Sequence, residues 1–131
     1  MTAIPSDLRY TRDHEWARSE ADGTVRVGIT RHAVEALGDV TLVSFSVKPG
    51  DALTAGKAFG VVESVKAVSD LYAPVTGTVV AVNNALLDRP EAVNEGPYAD
   101  GWMLSLRPEA ADNALGALLD AGAYEAFLGT L

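Results

Sequence analysis

The 131-residue chain predicts a mainly β fold, a β-sandwich or partly open barrel with a short internal helix and a C-terminal helical addition. Three observations carry this. Runs of β-branched and aromatic residues are short, and turn residues such as Asp22-Gly23, Pro49-Gly50-Asp51 and Pro74 to Gly77 recur between them. Helical spacing is confined to a few brief stretches. In Phe59 to Val75, two apolar runs flank Glu63-Ser64-Val65-Lys66-Ala67, which reads as a hairpin with Lys66 at its tip. A chain of this length buries roughly two thirds of its unfolded surface around one core, so residues 1–131 are expected to be a single domain.

Taken in order, residues 1–9 read as an N-terminal arm. His14 to Glu20 and Thr24 to Ile29 form a hairpin around Asp22-Gly23, which supplies the positive φ a tight turn needs, with Val25, Val27 and Ile29 alternating. Thr30 is placed to cap a helix over Arg31 to Leu37, which Gly38 ends. A strand, Val40 to Val47, precedes the turns at Pro49-Gly50-Asp51 and Gly56 and then the central hairpin. Thr78 to Val82 is the next strand. Residues 83–101, rich in Asn, Pro and Gly, read as loop with a helical turn at Ala85 to Leu87. Trp102 to Leu106 is the last strand, ended by Pro108. Over 109–131, Asp112 is expected to cap a helix bearing Leu115, Leu118 and Leu119, and a second helix follows Gly122 with Tyr124, Phe127 and Leu128. There is also a faint echo: Pro49 to Leu53 before Lys66 and Pro74 to Val79 after it each set a turn ahead of a β-prone run.

Composition narrows the function classes. The net charge is −8, and residues 83–131 hold eight acids against two bases, a field that repels nucleic acid and can either steer basic partners or simply solvate the surface. There are no cysteines, hence no disulfides or thiolate nucleophiles, and two histidines leave little for a metal site. The first residues lack a basic n-region and an apolar h-region, and no run approaches a membrane span. The expectation is a soluble cytoplasmic protein.

Lys66 is one of three lysines, and the one whose setting points to chemistry: strands fix its position while the turn exposes it to a partner. Glu63, three residues earlier, either forms a surface ion pair with it or offers a fixed charge beside the tip. His14 beside Glu15 has no suitably placed serine or cysteine nucleophile, so a hydrogen-bonded structural or cleft role is expected of it rather than catalysis. His32 reads as a surface residue, and Trp16, Trp102, Tyr72 and Phe59 as core aromatics.

Glu63-Ser64-Val65-Lys66-Ala67 resembles the lipoyl-attachment turn of the glycine cleavage system H protein family. Biotin carriers usually flank their lysine with methionines, where this chain has Val65 and Ala67. The likeness extends through His14-Glu15-Trp16, Val27-Gly28-Ile29-Thr30, Leu37-Gly38-Asp39, Tyr72-Ala73-Pro74 with Gly77, and Pro97-Tyr98 with Gly101-Trp102, spanning about Leu8 to Leu128.

The resemblance implies a lipoyl-domain-like fold and a carrier with no catalytic activity of its own. Lipoate would be joined covalently to Lys66, and Glu63, Ser64, Val65 and Ala67 would form the turn read by lipoyl-attaching enzymes. The arm would pass an aminomethyl group between a glycine decarboxylase, an aminomethyltransferase and a dihydrolipoamide dehydrogenase. The loaded arm would fold into a cleft, with Asp13, His14, Glu15 and Asp70 as candidate lining and carboxylates to pair with its ammonium. Family habit implies a monomer. Three other roles are open: a lipoyl relay to 2-oxoacid dehydrogenase complexes, an enzyme using Lys66 as a Schiff-base amine, which an exposed tip disfavours, and a plain β-domain interaction module whose lysine stays unmodified. The chain departs from the family pattern at Asp13, at Phe45 to Pro49, at His32-Ala33-Val34 and at Gly122, all apart from the Lys66 turn.

Overall fold

A computed structural model describes residues 4–109 and 115–131. Two antiparallel sheets face one another. The larger has six strands: β1 (Arg9–Tyr10), β2 (Glu15–Ser19), β3 (Val25–Ile29), β5 (Ala52–Leu53), β8 (Gly77–Val82) and β9 (Leu104–Pro108), in the order β1-β2-β3-β9-β8-β5. The smaller sets β6 (Ala58–Ser64) between β4 (Val40–Phe45) and β7 (Val68–Tyr72). Among the described residues no strand joins the two sheets, so the sandwich stays open as expected. Alternation along the strands fills the space between: Val25, Val27, Val43, Phe59, Val62, Leu71, Val79, Leu104 and Leu106 are all buried in one cluster.

The described residues include four short helices: α1 (Arg31–Leu37), α2 (Ala85–Asp88), α3 (Ala92–Glu95) and α4 (Ala121–Leu128). Thr30 caps α1 as its sequence predicts, its hydroxyl accepting from the Ala33 amide at 3.3 Å. Gly38 ends it at φ 80°, ψ −149°, a conformation that essentially only glycine adopts. No helix is long and apolar enough to cross a membrane among the described residues.

Several local expectations change. The segment read as an arm is tied down at its end: Leu8 is buried and Arg9–Tyr10 pairs with Trp16 and Ala17. Leu8, Tyr10, Trp16 and Tyr124 form a second core, on which Ile4, Leu119 and Phe127 pack, so α4 seals the N-terminal strands. At the Asp22-Gly23 turn Gly23 alone has positive φ, and Asp22 instead accepts from the Thr24 amide and hydroxyl. A second short helix, α3, lies within the stretch read as loop, because Pro90 and Gly96 bracket it closely enough to mask a single turn. The last strand begins at Leu104 and includes Pro108, paired with Gly77. Asp112 lies outside the described residues. Residues 115–118 form a turn rather than a helix, and Leu119 bridges Tyr10 through both backbone bonds, a tertiary pairing that no local pattern encodes.

The echo around Lys66 has a structural counterpart. Ala52 and Leu53 pair with Thr78 and Gly77, and the Asp51 carbonyl accepts from the Val79 amide. The two similar turns therefore lie against each other at the base of the hairpin whose far end carries Lys66.

Candidate functional site

The tip is built by β6 and β7 in register, Glu63 opposite Val68, with four residues between them. Ser64 makes the turn: its amide donates to the Ala67 carbonyl at 2.8 Å, and its hydroxyl accepts from the Ala67 amide at 3.1 Å. Val65, Lys66 and Ala67 are exposed, and Glu63 makes no ion pair with Lys66 among the described residues. The carboxylate is thus left for a partner rather than spent on the lysine.

Lys66 leans back toward the body. A side-chain carbon placed on Gly38 would sit 3.6 Å from the lysine Cε, so the stem passes over the bare end of α1. Asn94 on α3 fixes that crossing, donating to the Gly38 carbonyl at 2.8 Å and accepting from the Val40 amide at 2.9 Å.

Beyond Gly38 lies a cleft of about 160 Å³ between α1, the β1–β2 turn and the inner face of β7. Ile29, Leu37, Val62 and Leu71 supply its apolar walls, and Ala33 and Ala36 its helical side. Its polar lining includes Asp13, His14, Glu15 and Asp70, so all four candidate cleft residues are brought together.

Thr11 shapes the turn that presents three of them. Its hydroxyl accepts from the Asp13 and Glu15 amides, both at 3.2 Å. His14 adopts φ 66°, the left-handed region that non-glycine residues enter at a cost of about 1–3 kcal/mol. Glu15 is 2% exposed, and its Oε2 accepts from the Tyr72 amide at 2.7 Å. Burial pushes its carboxyl up to about 8, opposed by the Tyr72 amide and the Thr11 hydroxyl and reinforced by Asp13. A buried carboxyl in a cleft that lacks a cation is held near neutral; an ammonium entering beside it would let it ionise. Asp70 is exposed at the rim, accepting weakly from the Tyr72 hydroxyl at 3.4 Å.

Two expectations about aromatics are corrected. Tyr72 is half-buried, not core: its position on the outer face of β7 exposes the ring, and its backbone serves Glu15. Trp102 is half-buried under the Arg26 guanidinium, 4.6 Å above its ring, whereas Trp16 and Phe59 are core as expected. Nor is His32 a plain surface residue, since its ring lies 4.5 Å from that of His14. Sequence reasoning missed the roles of Gly38, Asn94 and Tyr124. Gly38 alone left a usable signal, a glycine directly after a helix.

The separated motifs are explained by contacts around this site. The Trp16 indole lies where a Gly28 side chain would be, and its N–H donates to the Pro97 carbonyl at 2.9 Å. The Tyr98 hydroxyl accepts from the Arg31 amide at 2.9 Å, at the start of α1. The motifs thus pin the helix and turn that flank the cleft.

Comparison with known proteins points to one family. The family model described as Glycine cleavage H-protein matches residues 8–130. The chain is 54% identical over 128 residues to a glycine cleavage system H protein of Chromohalobacter salexigens, covering 98% of this chain and 96% of that one. It is 56% identical over 129 residues to one of Opitutus terrae, covering 98% of this chain and all of the relative. A crystal structure of a glycine cleavage system H protein from Mycobacterium marinum superposes with a TM-score of 0.85 at 46% identity, over 96% of this chain and 99% of that one. With the family model matched over residues 8–130 and these relatives matched over nearly their whole length, the chain belongs to the glycine cleavage H-protein family.

Proposed function

We propose that this protein is a lipoylated carrier without catalytic activity of its own, which takes the aminomethyl group of glycine from a pyridoxal-phosphate decarboxylase, presents it to a tetrahydrofolate-dependent aminomethyltransferase, and is reoxidised by a dihydrolipoamide dehydrogenase. The observation that carries this is the alignment of Lys66, the bare crossing at Gly38 and an acidic cleft. Lipoate in amide linkage to Lys66 supplies the sulfur chemistry. The residues present fit such an arm: Lys66 points over Gly38, and the cleft beyond has apolar walls for a hydrocarbon chain and carboxyls for an amine.

The protein's own part is presentation and shelter. Ser64 holds the turn so that the lysine is open to a modifying enzyme, with Glu63, Val65 and Ala67 as its surroundings. Ile29, Leu37, Val62 and Leu71 keep water from the cargo, and Glu15, with Asp13 and Asp70 nearer solvent, pairs with its ammonium. A pure lipoyl relay has no amine to hold, so the buried Glu15 favours the aminomethyl role.

The test is transfer from labelled glycine. Lipoylated protein incubated with glycine decarboxylase and carbon-labelled glycine is expected to acquire label, and the Lys66→Arg variant none. A lipoylated wild-type chain that acquires no label, beside a known H protein that does, contradicts the aminomethyl role.

A further inference from the structure

One group at the cleft is not used by the carrier role as described. Tyr124, on the C-terminal helix α4 and 1% exposed, has its hydroxyl 2.8 Å from His14 Nδ1 and 2.8 Å from Thr30 Oγ1. Thr30, fully buried, is the cap of α1, and its oxygen already accepts from the Ala33 amide. The relay therefore starts at an amide that can only donate.

Hydrogen-bond bookkeeping sets the direction. If Thr30 donates to Tyr124 and Tyr124 donates to His14 Nδ1, every hydroxyl hydrogen has an acceptor. If His14 carries a hydrogen on Nδ1, the relay reverses. Tyr124 must then donate to Thr30, whose own hydrogen has no acceptor among its partners in the described residues, and this in a fully buried position. The first arrangement wins.

We propose that Tyr124 is a positioning residue for the cleft: through the relay from Thr30 it fixes His14 with Nδ1 as acceptor and hydrogen on Nε2, an uncharged wall where a cationic cargo must lie. This rests on the carrier role above. A doubly protonated imidazole at this point would repel an ammonium and compete for the same carboxyls. Other groups face His14 from each neighbouring element. The His32 ring on α1 opposes its protonation, Asp13 on the same turn favours it, and Glu15 and Asp70 share the cleft. The Phe127 ring on α4 packs 5.9 Å away, with the Arg12 guanidinium over that ring at 5.7 Å. Burial and His32 together hold the imidazole below its ordinary range.

The experiment is imidazole nitrogen NMR on the full-length, unlipoylated chain, comparing wild type with Tyr124→Phe and with Tyr10→Phe. The Phe ring in place of Tyr124 keeps the stack on Tyr10, whose ring is 4.6 Å away, so the fold is expected to survive. Tyr10→Phe removes a neighbouring hydroxyl that donates to the Pro5 carbonyl and does not touch His14, so it reports on the loss of a nearby buried hydroxyl outside the relay. Wild type and Tyr10→Phe are expected to show hydrogen on Nε2 only. Tyr124→Phe is expected to admit an Nδ1–H form and to raise the His14 midpoint by about half a pH unit or more. An unmoved tautomer and midpoint in Tyr124→Phe, or an equal change in Tyr10→Phe, would overturn the proposal.

On lipoylated, cargo-loaded protein, Tyr124→Phe is expected to lose cargo several-fold faster at pH 6 with little change at pH 8. Equal acceleration at both would make Tyr124 a packing residue only. The NMR measurement needs neither lipoate nor cargo. Failure of the carrier role would therefore appear as wild type that never loads, and failure of the relay as a His14 that does not respond.

Discussion

Glu15 on β2 reaches the smaller sheet through a single bond, its Oε2 lying 2.7 Å from the Tyr72 amide at the end of β7. The same strand begins at Val68, two residues past Lys66, so the bond ties the cleft's buried acid to the hairpin that carries the lysine. A carboxyl 2% exposed with one good donor is held protonated well above the usual carboxylate range.

That cost is measurable as a pH dependence. Because the folded-state value of Glu15, about 8, lies above its ordinary 4.5, the folded chain holds a proton that the unfolded chain has released across this interval. Its contribution to stability is present below pH 4.5 and lost as pH rises through 8. Glu15→Gln keeps an acceptor for Tyr72 without the charge. Its melting temperature is expected to gain on wild type between pH 5 and pH 8.5, by about 4 kcal/mol or roughly 10–20 °C. A lead that stays flat or shrinks with pH contradicts the buried-acid assignment; calorimetry across the range decides it.

Gly38 is expected to resist substitution for its backbone alone. At φ 80°, ψ −149°, an alanine is strained by about 1–3 kcal/mol although the space beside Lys66 would admit its methyl. Gly38→Ala should therefore melt about 3–12 °C lower. A melting temperature equal to wild type would show that the α1 terminus relaxes easily and is not a fixed crossing.

Asn94 braces the same point. Asn94→Ala leaves the Gly38 carbonyl and the Val40 amide without their side-chain partners, at a cost of about 1–3 kcal/mol. Amide exchange is expected to quicken at Val40 before it does in the central strands.

Ser64 builds the turn, its hydroxyl accepting from the Ala67 amide. Ser64→Ala removes the acceptor for the Ala67 amide, a loss of about 1 kcal/mol confined to the tip. Lipoylation in a time course with a lipoyl-attaching enzyme should slow several-fold, while the melting temperature falls by no more than about 5 °C. An unchanged rate would mean that the modifying enzyme reshapes the turn itself.

How far the sequence carried the site depends on the range over which each feature is encoded. The Lys66 hairpin was legible because apolar alternation on both arms and the polar apex are local. Thr30 and Gly38 marked the ends of α1 for the same reason. Asp13, His14, Glu15 and Asp70 were assembled only through the family resemblance, since β2 and β7 belong to different sheets and no local period relates them. Tyr124 read as an ordinary helix aromatic; its contact with His14 spans 110 positions. Leu119 was expected on a helix because leucines at 115, 118 and 119 fit helical spacing, yet its backbone bonds to Tyr10. A tertiary bridge outweighed a weak local pattern.

The attachment itself is the central claim, and the most direct measurement is the intact mass with peptide mapping of the chain expressed in a lipoylation-competent host supplied with lipoate. One lipoyl increment confined to the peptide containing Lys66 is the predicted result, absent in Lys66→Arg, whose melting temperature should lie within about 2 °C of wild type because the tip adds little to the core. An unmodified wild-type chain, beside a known H protein modified in parallel, would contradict the account, and modification at Lys48 or Lys57 would do so as well.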